Sequence, residues 1–405
     1  MKQVGNPATP APWRRSLRFT IFAPDFPASP TRSTGAHLDL PNTYRIPVGW
    51  LLAHGGEVVR YRTFTELAPA GTATPDTVAA ALASAEASKG AQAILKKQKD
   101  TGVWGGNLLG LAASAAQGIK DIGTIAQYRR LVELGIPRSA RPFKLSDRLL
   151  YRLLSRDEDP ALLFEFLKGA KGDEAYAKWA RGLIREAATA ALAEAGEIEA
   201  PPVRGAAHRI VSEISEFLRS PLAEKPFVKS GGSTVLHPEA NPPTWFALAM
   251  VAAMPSLQRE RAGFTERLAH YLSAPQTRKA FVVTAGKKKI KPTHLVLGDP
   301  VASDSKGMPK DLPLALHFID LLIRIGAFAG SPNANKVLSR LMKDVDERGV
   351  WNPKGLRAAP KALNRYTYHM FPLDLESKAP EWKQVDVTFR LAQIARRLGW
   401  QIEYM

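Results

Sequence analysis

The chain has 405 residues, of which 45% are hydrophobic and 23% charged, the balance of a folded globular protein with room for a large core rather than of a disordered one. Cysteine is absent, which excludes disulfides, thiolate nucleophiles and every zinc site that needs a Cys ligand. With 56 Lys+Arg against 38 Asp+Glu the formal charge is +18, a field that favours encounters with nucleic acid, anionic lipid or acidic ligands but defines no site.

Residues 1–45 hold seven prolines, with Arg14, Arg15 and short apolar pieces between them, and read as an extended arm. They contain no apolar core of secretory length. Residues 47–67 predict two short helices broken at Gly55-Gly56, and the Ala-rich run that follows predicts further helix up to Leu95. "GTIAQYRRLVELG" places Ile125, Tyr128, Leu131, Val132 and Leu134 at helical spacing with Gly135 as the stop. "SDRLLYRLL" predicts a helix through Leu154. "DPALLFEFLKG" predicts one with Asp159 as cap, Pro160 in first position and Gly169 at its end. "HRIVSEISEFL" sets Ile210, Val211, Ile214, Phe217 and Leu218 on one stripe.

The long Pro- and Gly-bearing stretches at 198–206, 220–243 and 284–313 read as loops, with weak strand alternation over 279–299 that predicts a small hairpin. "TWFALAMVAAM" at 244–254 is too short to span a bilayer, and the apolar run from Leu312 to Ala329 is interrupted by His317, Asp320 and Arg324. No transmembrane segment is expected, and a cytoplasmic protein is. The succession of helix and loop predicts an all-α domain of antiparallel helix pairs over 46–405.

Two stretches, "KKQKDTGVWGG" at 96–106 and "KDVDERGVWNP" at 343–353, share a Gly-x-Trp mark: Gly102 aligns with Gly349 and Trp104 with Trp351. Helical repeats take about 40–50 residues each, so five or six hairpins separate the marks. A glycine suits a helix end, and the large ring of a nearby Trp can cover the gap to the next hairpin. With Gln98 in place, "KGAQAILKKQKDTGVW" resembles the QW motif of squalene and oxidosqualene cyclases. The second copy has Val345 where the Gln would stand. The resemblance implies the α/α toroid that terpenoid cyclases share with protein prenyltransferases, and it implies a structural role for Gln98, Gly102, Trp104, Gly349 and Trp351.

The chemistry of those families is not legible. The Asp-x-Asp-Asp acid of a cyclase is missing; "DVDE" comes nearest, with Asp344 and Asp346 beside the second mark, where a solvated helix end is the competing reading. "QVDVT" places Asp386 where it reads as the opening of an amphipathic helix. The zinc of a prenyltransferase would need the absent Cys. His317, Asp320 and Arg324, at i, i+3 and i+7, share one face of an otherwise apolar helix and either line a central cavity or form a surface pair beside a solvated His. "NRYTYHMF" gathers Tyr366, Tyr368 and His369, residue types used for proton abstraction in sugar-acid lyases built on such toroids, or simply for packing. Lys287, Lys288, Lys289 and Lys291 form a basic loop that either is solvated or contacts an anionic partner.

The expectation is therefore a divergent toroid without cofactor or metal that binds an apolar or amphipathic ligand, or a protein partner, in its central concavity. An enzyme of cyclase or polysaccharide-lyase type ranks second. A binder of nucleic acid or an anionic surface, including peripheral membrane contact, ranks last.

Overall fold

In the computed structural model the described residues are 40–114, 120–155, 158–277, 279–375 and 377–405, and they form fifteen α-helices and six short strands. The chain runs β1 (Thr43–Ile46), α1 (Val48–His54), α2 (Glu57–Arg62), a π-turn (Thr63–Leu67), α3 (Pro75–Ala87), α4 (Lys89–Leu95), α5 (Thr124–Glu133), α6 (Arg141–Leu154), a 3-10 turn (Pro160–Phe166), α7 (Leu167–Ala170), α8 (Glu174–Glu194) and α9 (Pro201–Arg219). It continues through β2 (Phe227–Ser230), β3 (Ser233–Leu236), α10 (Trp245–Ala253), α11 (Pro255–Glu260), α12 (Ala262–Ser273), β4 (Val283–Ala285), β5 (Lys288–Ile290), α13 (Leu312–Ile325), α14 (Pro332–Met342), α15 (Trp382–Arg397) and β6 (Gln401–Tyr404).

Helices α5, α8, α10, α13 and α15 pack one on the next in that order, and α15 packs on α1 and on the π-turn. Arg62, at the end of α2, reaches Glu133 at the end of α5, and the Tyr61 ring abuts Gly135, so the series of contacts returns to its start. Two of these helices are buried almost all round, α5 from Thr124 to Leu131 and α15 from Val385 to Ala395, whereas α8 is fully buried only over its second half. A helix enclosed on every side is apolar all round or pairs its polar groups. Helix α10, WFALAMVAA, takes the first course, while α5 and α15 carry buried Arg129, Arg130, Arg390 and Gln393 and take the second. Helices α4, α6, α9, α12 and α14 lie against this series; α6, α9, α12 and α14 are amphipathic.

The two Gly-x-Trp marks have the same local structure. Gly102 and Gly349 both have φ +83°, a region that favours glycine. The Lys99 N–H donates to the Val103 carbonyl (3.0 Å) and the Gly102 N–H to the Lys99 carbonyl (2.8 Å); the corresponding bonds from Asp346 to Val350 and from Gly349 to Asp346 are both 2.9 Å. The N–H groups of Trp104 and Trp351 each donate to a threonine hydroxyl on a buried helix, Thr124 and Thr388, at 3.1 Å. A Cβ on Gly102 would collide with the Leu145 backbone of α6, and one on Gly349 with the Arg45 backbone of β1. The Gln98 side-chain amide donates to the Pro142 carbonyl (2.9 Å) and the Ser146 hydroxyl (3.0 Å), tying the first mark to α6. The second mark instead receives the Tyr44 hydroxyl on the Gly349 carbonyl (2.9 Å). The Trp104 indole donates to the Ile94 carbonyl (2.9 Å), whereas the buried Trp351 indole nitrogen has no partner among the described residues.

Five expectations change. The loop expected over 198–206 is mostly helix, because α9 begins at Pro201. The extended arm over 1–45 lies outside the described residues as far as 39, and its end is not a free arm but a paired strand that runs past 45: Thr43–Ile46 pair in parallel with Gln401–Tyr404. The stretch 220–243 holds the β2–β3 hairpin rather than loop alone. The helix expected at 160–169 is a 3-10 turn followed by the short α7, broken where Phe164 has φ +44°; Asp159 still caps it, accepting from the Ala161 N–H (2.9 Å). Asp386 does not open its helix, because α15 begins at Trp382 and leaves Asp386 buried a turn inside.

Candidate functional site

Two cavities lie against the buried helices. The smaller, about 70 Å³, is lined by Arg62, Glu133, Glu194, His317, Asp320, Arg324, His369, Arg390, Gln393 and Arg397 among others. Its charges are paired. One Glu133 carboxylate oxygen meets Arg62 and Arg390, each at 2.5 Å. Glu66 takes Arg62 (2.6 Å) and the Gln393 amide (2.6 Å), and Glu194 takes Arg129 through two bonds of 2.5 and 2.8 Å. Asp320 contacts Arg397, and Arg324 at 3.7 Å. Burial alone would raise the Glu133 carboxyl, but Arg390 and Arg62 hold it well below the usual carboxylate range. His317 and His369 stand edge to face with ring centroids 5.2 Å apart. Burial and the nearby Arg129 push the His317 imidazole down to about 3 and keep both rings neutral.

The larger cavity has a volume of about 930 Å³, within the range of about 300–1,000 Å³ typical of ligand pockets. Helix α5 supplies its buried end with Ile125 and Ala126. Helix α8 contributes Tyr176, Trp179 and Leu183, α10 contributes Phe246, and the 3-10 turn contributes Phe166. These rings touch: Phe166 stands edge-on to Trp179 at 5.9 Å, and Trp179 lies 6.4 Å from His294. Exposed Lys168, Lys288 and Lys291 complete the lining at the solvent side. The β4–β5 hairpin that carries Lys288 is latched to the start of α8, where the Asp173 carboxylate accepts the Lys287 N–H (2.8 Å) and caps the Tyr176 N–H (3.0 Å). A Cβ on Gly286 would overlap that carboxylate. Burial pushes His294 down to about 4, so it too is neutral.

His317, Asp320 and Arg324 come together on the smaller cavity. Tyr366 and His369 line the larger one; Tyr368 turns away, its hydroxyl donating to Gln127 (2.9 Å). The Tyr366 hydroxyl bonds Thr293, and the Tyr366 ring packs on Trp245. Asp344 pairs with Arg340 (2.8 Å), and Asp346 shapes the second mark by accepting the Arg348 and Val350 N–H groups, both at 3.0 Å. Neither lines a cavity described here. Asp386 accepts the Leu373 N–H (3.0 Å), and burial pushes its carboxyl up to about 6. Of the four lysines, Lys288 and Lys291 reach the larger cavity.

Sequence reasoning missed Phe166, Trp179, Phe246 and His294, which arrive from four separate segments with no shared spacing. It also missed Asp374, whose carboxylate caps α2 by accepting the Val58 and Val59 N–H groups at 3.0 and 3.1 Å. Among the described residues no group of three His, Cys, Asp or Glu side chains is placed to hold a metal ion, and no helix is long and apolar enough to cross a membrane. No protein-family model matches the chain, nor does any curated protein or solved structure.

Proposed function

We propose that the helical unit is a ring of the α/α-toroid kind and that it binds an amphipathic small molecule in the larger cavity. The closed order of helix contacts and the matching loops before α5 and α15 support the ring. One observation carries the binding reading: a cavity of about 930 Å³ walled by Phe166, Tyr176, Trp179 and Phe246 and open to solvent beside lysines. Aromatic walls bury apolar surface, and few polar groups set orientation. Native mass spectrometry of the purified protein tests this. The expected result is a one-to-one small-molecule adduct that disappears on denaturation. A bare chain mass, unchanged after incubation with total lipid extract, would contradict it.

An enzyme is the second reading, favoured by His369. Its Nδ1 lies 3.1 Å from the Tyr366 carbonyl, so the ring proton sits on Nδ1 and Nε2 keeps its lone pair, the form a general base needs. His369→Asn would then abolish turnover of the bound molecule without abolishing its binding. Loss of binding together with turnover would leave His369 a packing residue.

A further inference from the structure

We infer that the ligand of the larger cavity carries an anionic head, a carboxylate or a phosphate, held by Lys168, Lys288 and Lys291, with its apolar body directed inward; this rests on the binding reading above. The charges of the lining decide it. Glu165 is the one acid that lines the cavity among the described residues, and both of its oxygens are occupied, by the Leu109 N–H at 2.7 Å and the Leu108 N–H at 2.9 Å. Arg129 is held in a two-bond pair by Glu194. Lys168, Lys288 and Lys291 form no salt bridge among the described residues; Lys288 lies over the Tyr176 ring at 4.3 Å and feels the Asp173 carboxylate only at longer range. Three lysines thus line one cavity with a single carboxylate, Glu165, which is engaged by backbone N–H groups and leaves the cations in excess, whereas the smaller cavity balances each arginine against an acid. Repulsion among uncompensated ammonium groups disfavours their clustering, and an anion placed between them relieves it.

Polarity along the cavity gives the orientation. The three lysines are exposed, while Ile125 and Ala126 of the same lining are buried, so a head group stays hydrated beside the lysines as the body leaves water. The latch from Asp173 to the Lys287 N–H fixes the turn that presents Lys288. Lysine ammonium groups act as rotatable point charges and suit either a carboxylate or a phosphate.

The test is calorimetric titration of the full chain with decanoate, decyl phosphate, decanol and inorganic phosphate. Decanoate or decyl phosphate should bind at least about tenfold more tightly than decanol. The Lys288→Gln/Lys291→Gln double variant should erase that advantage and leave decanol binding unchanged. Its thermal unfolding should match the parent, which separates lost binding from lost folding. A tenfold preference between the two amphiphilic anions names the head group. Equal binding of decanol and the anions would overturn the anionic head and leave the cavity reading standing. Inorganic phosphate binding as tightly as decyl phosphate would overturn the amphipathic ligand, and no binding by any of the four would overturn both proposals.

Discussion

The smaller and larger cavities share His369 and abut the same buried helices, yet they treat charge in opposite ways. Around the smaller one, Arg62, Arg324, Arg390 and Arg397 each meet an acid, and the space left is only about 70 Å³. Around the larger one the acid is held by backbone N–H groups, the arginine is paired with Glu194, and the lysines face solvent without a salt bridge among the described residues. Paired buried charge fixes where helices sit; unpaired charge beside an apolar cavity is free to meet a ligand. The comparison separates struts from site, although both are lined by residues of the same chemical types.

The sharpest way to break it is to remove the acid at the centre of the struts. Glu133→Ala leaves Arg62 and Arg390 buried without their shared partner, and a loss of about 3–5 kcal/mol is expected in chemical denaturation. A loss below about 1 kcal/mol would mean that the network does not hold the helices together. Trp104→Ala should also cost about 3–5 kcal/mol. Trp351→Ala should cost about 1 kcal/mol less, since its indole gives up no hydrogen bond; the reverse order would contradict the different bonding of the two marks.

Proton linkage is the next largest effect. The folded His317 is depressed to about 3, against about 6.5 when unfolded, so only the unfolded chain gains a proton as pH falls. The stability this residue contributes is present above pH 6.5 and is lost toward pH 3, at up to about 1.4 kcal/mol per pH unit. Arg129, Arg324, Arg390, Glu133 and His369 all act on that ring. The difference between parent and His317→Gln isolates its share: the variant should lose less stability between pH 6.5 and 5. Parallel curves would show that the ring titrates freely. At the bottom of the scale, Lys291→Gln should change stability by less than about 0.5 kcal/mol, because Lys291 has no acidic partner to lose. A larger cost would make it a strut rather than part of the site.

What the sequence revealed follows from how local each feature is. The Gly-x-Trp loops close within five residues and repeat, so their role as a structural mark is visible on the page. The stripe of His317, Asp320 and Arg324 is visible because one helix carries all three, but its partners Glu133, Glu194, Arg390 and Arg397 come from three other helices and no spacing announces them. Helix α5 illustrates the difficulty: its apolar spacing is plain, but Arg129 and Arg130, which lie between the apolar positions, are buried as well, because tertiary pairing overrides the surface preference of arginine. The four lysines were legible as a run of charge. That two of them face a cavity depends on the Asp173 latch, made by a residue more than a hundred positions earlier.

The most direct test of the account is to fill the larger cavity and leave the smaller one untouched. Leu183 lines the former on α8, and Leu183→Trp places extra volume there. We predict that decanoate and decanol both lose calorimetric binding to this variant by about tenfold or more, while Leu183→Met, similar in volume, retains it and all three proteins unfold at similar temperatures. Undiminished binding to a folded Leu183→Trp variant would put the ligand elsewhere and contradict the assignment of the cavity.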